Sequence, residues 1–179
     1  MRQQFHCHYI SGHIPIDVLE ELHPKLTLPI SWTLQLQHVH IQSPALALAL
    51  TALFSARVGS CNNDENLVSQ SHFMYTCALQ ELQKALISPC DRLSDETLAT
   101  CIALLTYELT DRPTGPPSGF PTHLKGAIAL LKHRGPNSIT SPLSFSLFLT
   151  LRSFSVSLPC QNHVCTQLTD RKGVAFSHA

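Results

Sequence analysis

Proline and glycine cut residues 43–158 into five blocks, and each block has room for a helix of several turns and little else. Ser43-Pro44 opens the first block. Serine suits the capping position, and proline suits the first helical position because its missing N–H would be unpaired there. Leu46, Leu48 and Leu50 alternate with alanines in a way that mimics a strand. Alanine is however the best helix former and a poor strand former, so a helix is predicted, ending near Gly59 before the polar turn Cys61-Asn62-Asn63-Asp64. The second block, 64–87, starts with acidic residues suited to a helix N-terminus. It carries Leu67, Ser71, Met74, Ala78, Leu82 and Ala85 or Leu86 at steps of three and four.

Ser88-Pro89 stops that helix. Ser94 caps the third, with Asp95 and Glu96 in its first turn and Leu98, Cys101, Ile102, Leu105 and Leu109 on its buried side. The run from Thr110 to Pro121 holds four prolines and two glycines and is expected to be a loop. Leu124, Ala127, Ile128 and Leu131 form the stripe of a fourth helix, started by His123 and closed by Arg134-Gly135-Pro136, with Gly135 at a left-handed cap. Ser141-Pro142 repeats the opening signal, and Leu143, Leu147, Phe148, Leu151 and Phe154 give a fifth helix up to Pro159. Five apolar stripes are satisfied by packing on one another, so the fold class is all-α. It is an antiparallel helical array of about five main helices between irregular N- and C-terminal segments.

The flanks are less regular. Residues 1–42 contain Pro15, Pro24 and Pro29, which leave space for short helices only, one of them at 17–23. Residues 26–41 alternate in part and suit a docking loop or short helix better than a strand. Residues 159–179 lose periodicity and read as a tail. The chain of 179 residues suits one principal domain, at 43–158.

Charge and cysteine content exclude several functions. There are 12 basic and 12 acidic residues, a formal net charge of +0 and a charged share of 13%. Direct DNA binding by this chain is therefore not expected, whereas self-association is favoured. The eleven histidines are scattered from His6 to His178 rather than clustered. The seven cysteines show no framework of pairs. Cys77 and Cys101 fall in helical patterns as small buried hydrophobes, which fits a reducing compartment. The N-terminus has no uninterrupted apolar core, residues 45–56 are too few to span a bilayer, and 143–158 carry five serines and Arg152, so no membrane partner is expected.

Few residues invite chemistry. Cys160, His163 and Cys165 are weak metal candidates, because their spacing is not Cys-x-x-Cys and no second ligand pair lies at a finger-like distance. His6-Cys7-His8 is weaker still. Tyr107, Glu108 and His123 are the groups best suited to acid–base work, which keeps open a small helical enzyme. A Tyr-Glu pair at one helix end and a His at the next helix start equally make a hydrogen-bonded clamp, and that is the reading taken. There is no nucleophile elbow, phosphate-binding glycine loop or His-Glu-x-x-His, so no catalytic residue, metal or cofactor is expected and the chain is not expected to be an enzyme. Lys125, Lys132, His133 and Arg134 form the only basic grouping, and a helix's last turn favours such cations.

Several segments together resemble the fungal-specific transcription factor domain, the helical regulatory region found with zinc binuclear cluster DNA-binding domains. They are 43–53 (SPALALALTAL), 75–86 (YTCALQELQKAL), 95–99 (DETLA), 104–108 (LLTYE) and 123–136 (HLKGAIALLKHRGP). The last is the most specific. The resemblance implies a nuclear transcription regulator, with Tyr107, Glu108, Phe120, His123, Gly126, Arg134 and Gly135 as family-motif residues of structural role. Phe120 stands where such proteins often carry Trp. Gly126 is expected to permit close approach by a neighbour, and Arg134 to reach the preceding carbonyls before Gly135 turns the chain. No six-cysteine cluster occurs here, and the chain stops soon after the fifth helix, so it looks like a shortened member whose exposed apolar face invites a protein partner. That partner would be a related transcription factor or a second copy. A small-molecule inducer is left unassigned, and a shortened scaffold without independent activity is a further alternative.

Overall fold

A computed structural model describes residues 31–36, 39–110 and 119–157. The elements are α1 (Ser31–Gln35), α2 (Pro44–Asn62), α3 (Glu65–Ile87), α4 (Asp95–Thr110), α5 (Phe120–Arg134), a 3-10 turn at Pro136–Ser138, and α6 (Pro142–Ser157). The five long helices are the five predicted blocks, and no strand occurs among the described residues. The expected short helix at 17–23 lies outside them. Within 26–41, the helical alternative holds for Ser31–Gln35.

The helix starts follow the local chemistry. Ser43 Oγ accepts from the Leu46 N–H with Pro44 in the first turn, and the Asp64 carboxylate accepts from the N–H groups of Asn66 and Leu67. Ser94 Oγ accepts from the Thr97 N–H, and Ser141 Oγ from that of Ser144. Each such cap contributes about 1 kcal/mol.

Two ends differ from the sequence reading. Helix α2 does not stop at Gly59; it runs to Asn62, and Asn63 takes the left-handed conformation at φ 55° and ψ 38°. Gly59 instead lies within α2, where a Cβ would come within 2.9 Å of the Val68 side chain and 3.0 Å of its backbone nitrogen. The glycine lets α3 fold back closely on α2 across a two-residue connection, as in a helical hairpin. Helix α5 starts at Phe120 with Pro121 in its first turn, so His123 stands at the end of that turn rather than opening the helix, and Thr110, Phe120 and Pro121 of the predicted loop belong to helices.

Helix α4 lies at the centre, packing against α2, α3, α5 and α6, while α1 packs on α6. The sequence assigned α4 one buried side, yet every residue from Thr97 to Tyr107 is buried. Its threonines make this possible. Thr100 and Thr106 donate their hydroxyls to carbonyls one turn back, and Thr97 donates to the Asp91 carbonyl, so no hydroxyl enters the core unpaired. The main core joins Trp32 and Leu36 to Leu46, Leu50, Leu98, Ile102, Leu105, Leu124, Ile128, Leu147, Leu151 and Phe154. A second cluster packs Ala52, Leu53 and Ala56 of α2 on Tyr107, with Met74 and Tyr75 beside them.

Helix α2 corrects one further expectation. At 19 residues it is long and apolar enough, by length and composition, to cross a membrane. Ala45, Leu46, Ala49, Leu50, Ala52, Leu53 and Ala56 are nevertheless buried in the two clusters, as in a core helix of a folded domain.

Candidate functional site, a polar clamp between three helices

Tyr75 of α3 projects between the end of α4 and the start of α5. Its hydroxyl donates to Glu108 Oε1 at 2.5 Å and lies 2.9 Å from His123 Nε2. A phenol has one proton to give. With that proton directed at Glu108, the Tyr75 oxygen accepts from His123, which therefore carries its proton on Nε2. His123 Nε2 and Glu108 Oε1 are 4.0 Å apart, with the two side chains 15% and 17% exposed.

The site is thus a three-residue chain in which the Tyr75 hydroxyl oxygen is the central atom. The sequence reading had Glu108 and His123 but placed Tyr107 with them. Tyr107 is one residue away and points elsewhere: its hydroxyl is 3.1 Å from Ser71 Oγ and 3.0 Å from His72 Nδ1, while its ring stacks on that of Tyr75 with centroids 4.7 Å apart. The helical step of about 100° per residue explains the split, since consecutive residues leave a helix on different faces. Tyr75 opens the second family-like segment, 75–86, but lies 33 residues before Glu108, and only the folding of α3 onto α4 joins them.

Electrostatics follow from burial. Burial pushes the Tyr75 phenol far above its usual range, helped by its hydrogen bond to Glu108 and by the charge of that carboxylate. Burial also lowers the imidazole pKa of His123 below 6.5, with Glu108 opposing the shift. The first turn of a helix is an unfavourable place for a cation and a favourable one for an anion. The Glu108 carboxylate occupies the latter position. It lies against Gly119, the cap residue of α5, which has no side chain to cap with, and a Cβ on Gly119 would collide with Glu108 Oε1.

A second polar junction ties the other end of α4. Asp95 receives the Arg134 guanidinium of α5 on Oδ1 and, on Oδ2 at 2.8 Å, the hydroxyl of Ser141, which caps α6. The Arg134 side chain is 4% exposed and also reaches the Ser94 carbonyl at 3.4 Å. It therefore joins α5 to α4 rather than closing its own helix. Next to it, Glu96 accepts the N–H of Ser43 at 2.5 Å and that of Gln42 at 3.2 Å, tying the start of α2 to α4. The sequence showed Asp95 and Glu96 only as acids in a first turn.

The remaining motif residues sort by contact. Phe120 is buried and meets Phe154 edge to face, with centroids 6.2 Å apart. Gly126 is exposed, and nothing within 4 Å would meet a Cβ there, so the expected close neighbour is absent among the described residues. Gly135 has φ 75° as expected, but its ψ of 170° lies outside the left-handed helical region, in a conformation reserved almost wholly for glycine. Cys101 is buried, whereas Cys77 is only half-buried. Cys160, His163 and Cys165 lie outside the described residues, and no group of three metal-ligating side chains occurs among those described.

Two open clefts, of about 430 and 400 Å³, flank α3; the first is lined by residues including Glu81, Lys84 and Glu96, the second by residues including Asp64 and His72. Neither lining includes Tyr75, Glu108 or His123. The cluster connects helices and opens onto neither cleft.

The family model of the fungal-specific transcription factor domain matches residues 31–163. The uncharacterized protein AN5342 of Emericella nidulans is 27% identical over 131 residues, which make up 73% of this chain and 28% of that protein. The chain thus spans less than a third of this relative's length. No solved structure matches.

Proposed function

Because the chain belongs to the fungal-specific transcription factor domain family, we propose that it is a nuclear, transcription-regulator-like protein whose helical region works through protein contacts and makes no DNA contact of its own. The observation that carries this reading is the extent of the family match. It begins at residue 31 and so takes in Trp32, and it runs past Phe154, spanning the same residues that build the core. Chemistry gives independent support. The polar groups with the best acid–base character are engaged in joining helices, and the family is a transcription factor domain rather than an enzyme family.

The absence of DNA contact rests on charge. Basic and acidic residues are equal in number, so there is little to gain from releasing counterions off a phosphate backbone. The basic grouping on α5 is reduced further, because Arg134 is paired with Asp95. A partner that is itself a related transcription factor, or a second copy, supplies the route to promoters in this reading. Titrating labelled duplexes into the purified chain at physiological salt tests it: weak, sequence-independent retention is expected, and tight sequence-specific binding overturns the proposal.

A further inference from the structure

Ser-Pro occurs three times in the chain, at 43–44, 88–89 and 141–142. Proline lacks an N–H, so an enzyme cleft that offers the residue after serine no hydrogen-bond acceptor admits Ser-Pro and rejects other pairs. Proline-directed protein kinases select in this way. Such a kinase needs the serine in extended backbone with its hydroxyl free, and two of the three pairs fail that requirement. Ser43 caps α2 with its Oγ on the Leu46 N–H, its own N–H is held by Glu96 at 2.5 Å, and Ala45 and Leu46 behind it are buried. Ser141 caps α6, donates its hydroxyl to Asp95 at 2.8 Å, and is followed by buried Leu143 and Ser144.

Ser88 is placed differently. It ends α3 with φ −68° and ψ 123°, the extended backbone that a following proline favours. None of residues 86–93 is buried, and the preceding Ile87 is 81% exposed. The Ser88 Oγ accepts from the Asp91 N–H at 3.4 Å, and its hydroxyl proton has no acceptor among the described residues. The far side of the turn is anchored, because the Asp91 carbonyl accepts from the Thr97 hydroxyl at 2.7 Å. Ser88-Pro89 is thus the part of the turn that can be drawn into a cleft without disturbing the core.

We propose that Ser88 is a phosphorylation site for a proline-directed protein kinase, and that the fold withholds Ser43 and Ser141 from the same enzyme. The Ser88 oxygen attacks the γ-phosphorus of ATP and the bond from that phosphorus to the β–γ bridging oxygen breaks. ADP leaves, and the hydroxyl proton passes to the catalytic base of the kinase. The added charge is tolerated best at this position. Lys84 stands in the last turn of α3 and Arg92 four residues on, against one exposed carboxylate in the turn, Asp91. A phosphate on Ser43 or Ser141 is instead forced beside Glu96 or Asp95.

Incubating the purified full chain with a mitogen-activated protein kinase and ATP, and locating phosphate by tandem mass spectrometry, tests this. Phosphate should appear on Ser88 and not on Ser43 or Ser141, and chain recovered from fungal cells should carry it at the same place. Ser88→Ala and Pro89→Ala should each lose the signal with the circular dichroism spectrum unchanged. Synthetic peptides spanning each Ser-Pro pair should all be phosphorylated, because only the fold protects Ser43 and Ser141. The proposal is overturned by an unmodified Ser88, by phosphate reaching Ser43 or Ser141 of the folded chain as fast, or by peptides that repeat the selectivity of the folded chain. None of these results bears on the DNA titration.

Discussion

Tyr75 is the residue on which the junction of α3, α4 and α5 depends, because Glu108 and His123 share its single hydroxyl. Tyr75→Phe keeps the ring stacked on Tyr107 and removes only the oxygen, leaving a mostly buried carboxylate and imidazole without that partner. The expected loss is about 1–2 kcal/mol of stability, read from urea denaturation. Gly119→Ala should act on the same contact from the other side, by displacing the Glu108 carboxylate from the position in which it accepts from Tyr75. The pH dependence has a definite sign. His123 has a folded-state pKa below its unfolded value near 6.5, so the unfolded chain binds the proton more readily. Its contribution is fully present above pH 6.5 and is lost as pH falls through the lower, folded pKa. Replacing it, as His123→Gln, should flatten the stability profile below pH 6.5, and an unchanged slope would show that other histidines set it. Thiols give a separate check. Burial pushes the Cys101 thiol up to about 12, whereas Cys61 and Cys90 are exposed. Among the described cysteines, a thiolate-selective reagent at neutral pH should label the latter two first and reach Cys101 only after unfolding. At this scale the sequence made Glu108 and His123 legible, because a carboxylate near a helix end and a His near the next start are an informative pair. Tyr75 was not, since its partners come from α4 and α5, and a spacing of 33 residues has no local signature.

Helices were the most legible part, for a physical reason. Ser-Pro pairs, an aspartate cap and glycine-proline ends act within one turn, and apolar steps of three and four act within one element. What the sequence could not supply was how many sides of a helix are covered. Helix α4 reads as one-sided from Leu98, Cys101, Ile102 and Leu105, but the threonines between them bond to their own backbone and are buried as well. Likewise Gly59 reads as a stop signal, although it serves the approach of Val68 from α3, while Gly126, read as a contact glycine, is exposed. Gly59→Ala should therefore lower stability by more than the usual helical gain from alanine, because backbone atoms of α3 must move. At the opposite end of α4, Asp95→Ala removes the carboxylate from a guanidinium that is 4% exposed. Leaving that charge unpaired should cost about 3 kcal/mol, measured by thermal unfolding, and should loosen both α5 and α6 in hydrogen exchange.

For the whole molecule, composition and resemblance carried different shares. Equal charge counts and the lack of a catalytic motif narrowed the function class, but neither distinguishes a regulatory region from any other helical domain. The family match supplies that distinction, and the structure supplies its physical content: helices packed around α4 in a main core from Trp32 to Phe154 and a smaller cluster at Tyr107, with polar junctions at both ends of α4. In the proposed function this core regulates transcription as a folded unit. The direct measurement is reporter output in fungal cells when the chain is tethered to a promoter through an unrelated DNA-binding module. Output should shift relative to the module alone, and the shift should vanish when the core is broken by Leu147→Asp while the protein level is held equal. Output equal to that of the bare module, or a shift that survives Leu147→Asp, would contradict the account.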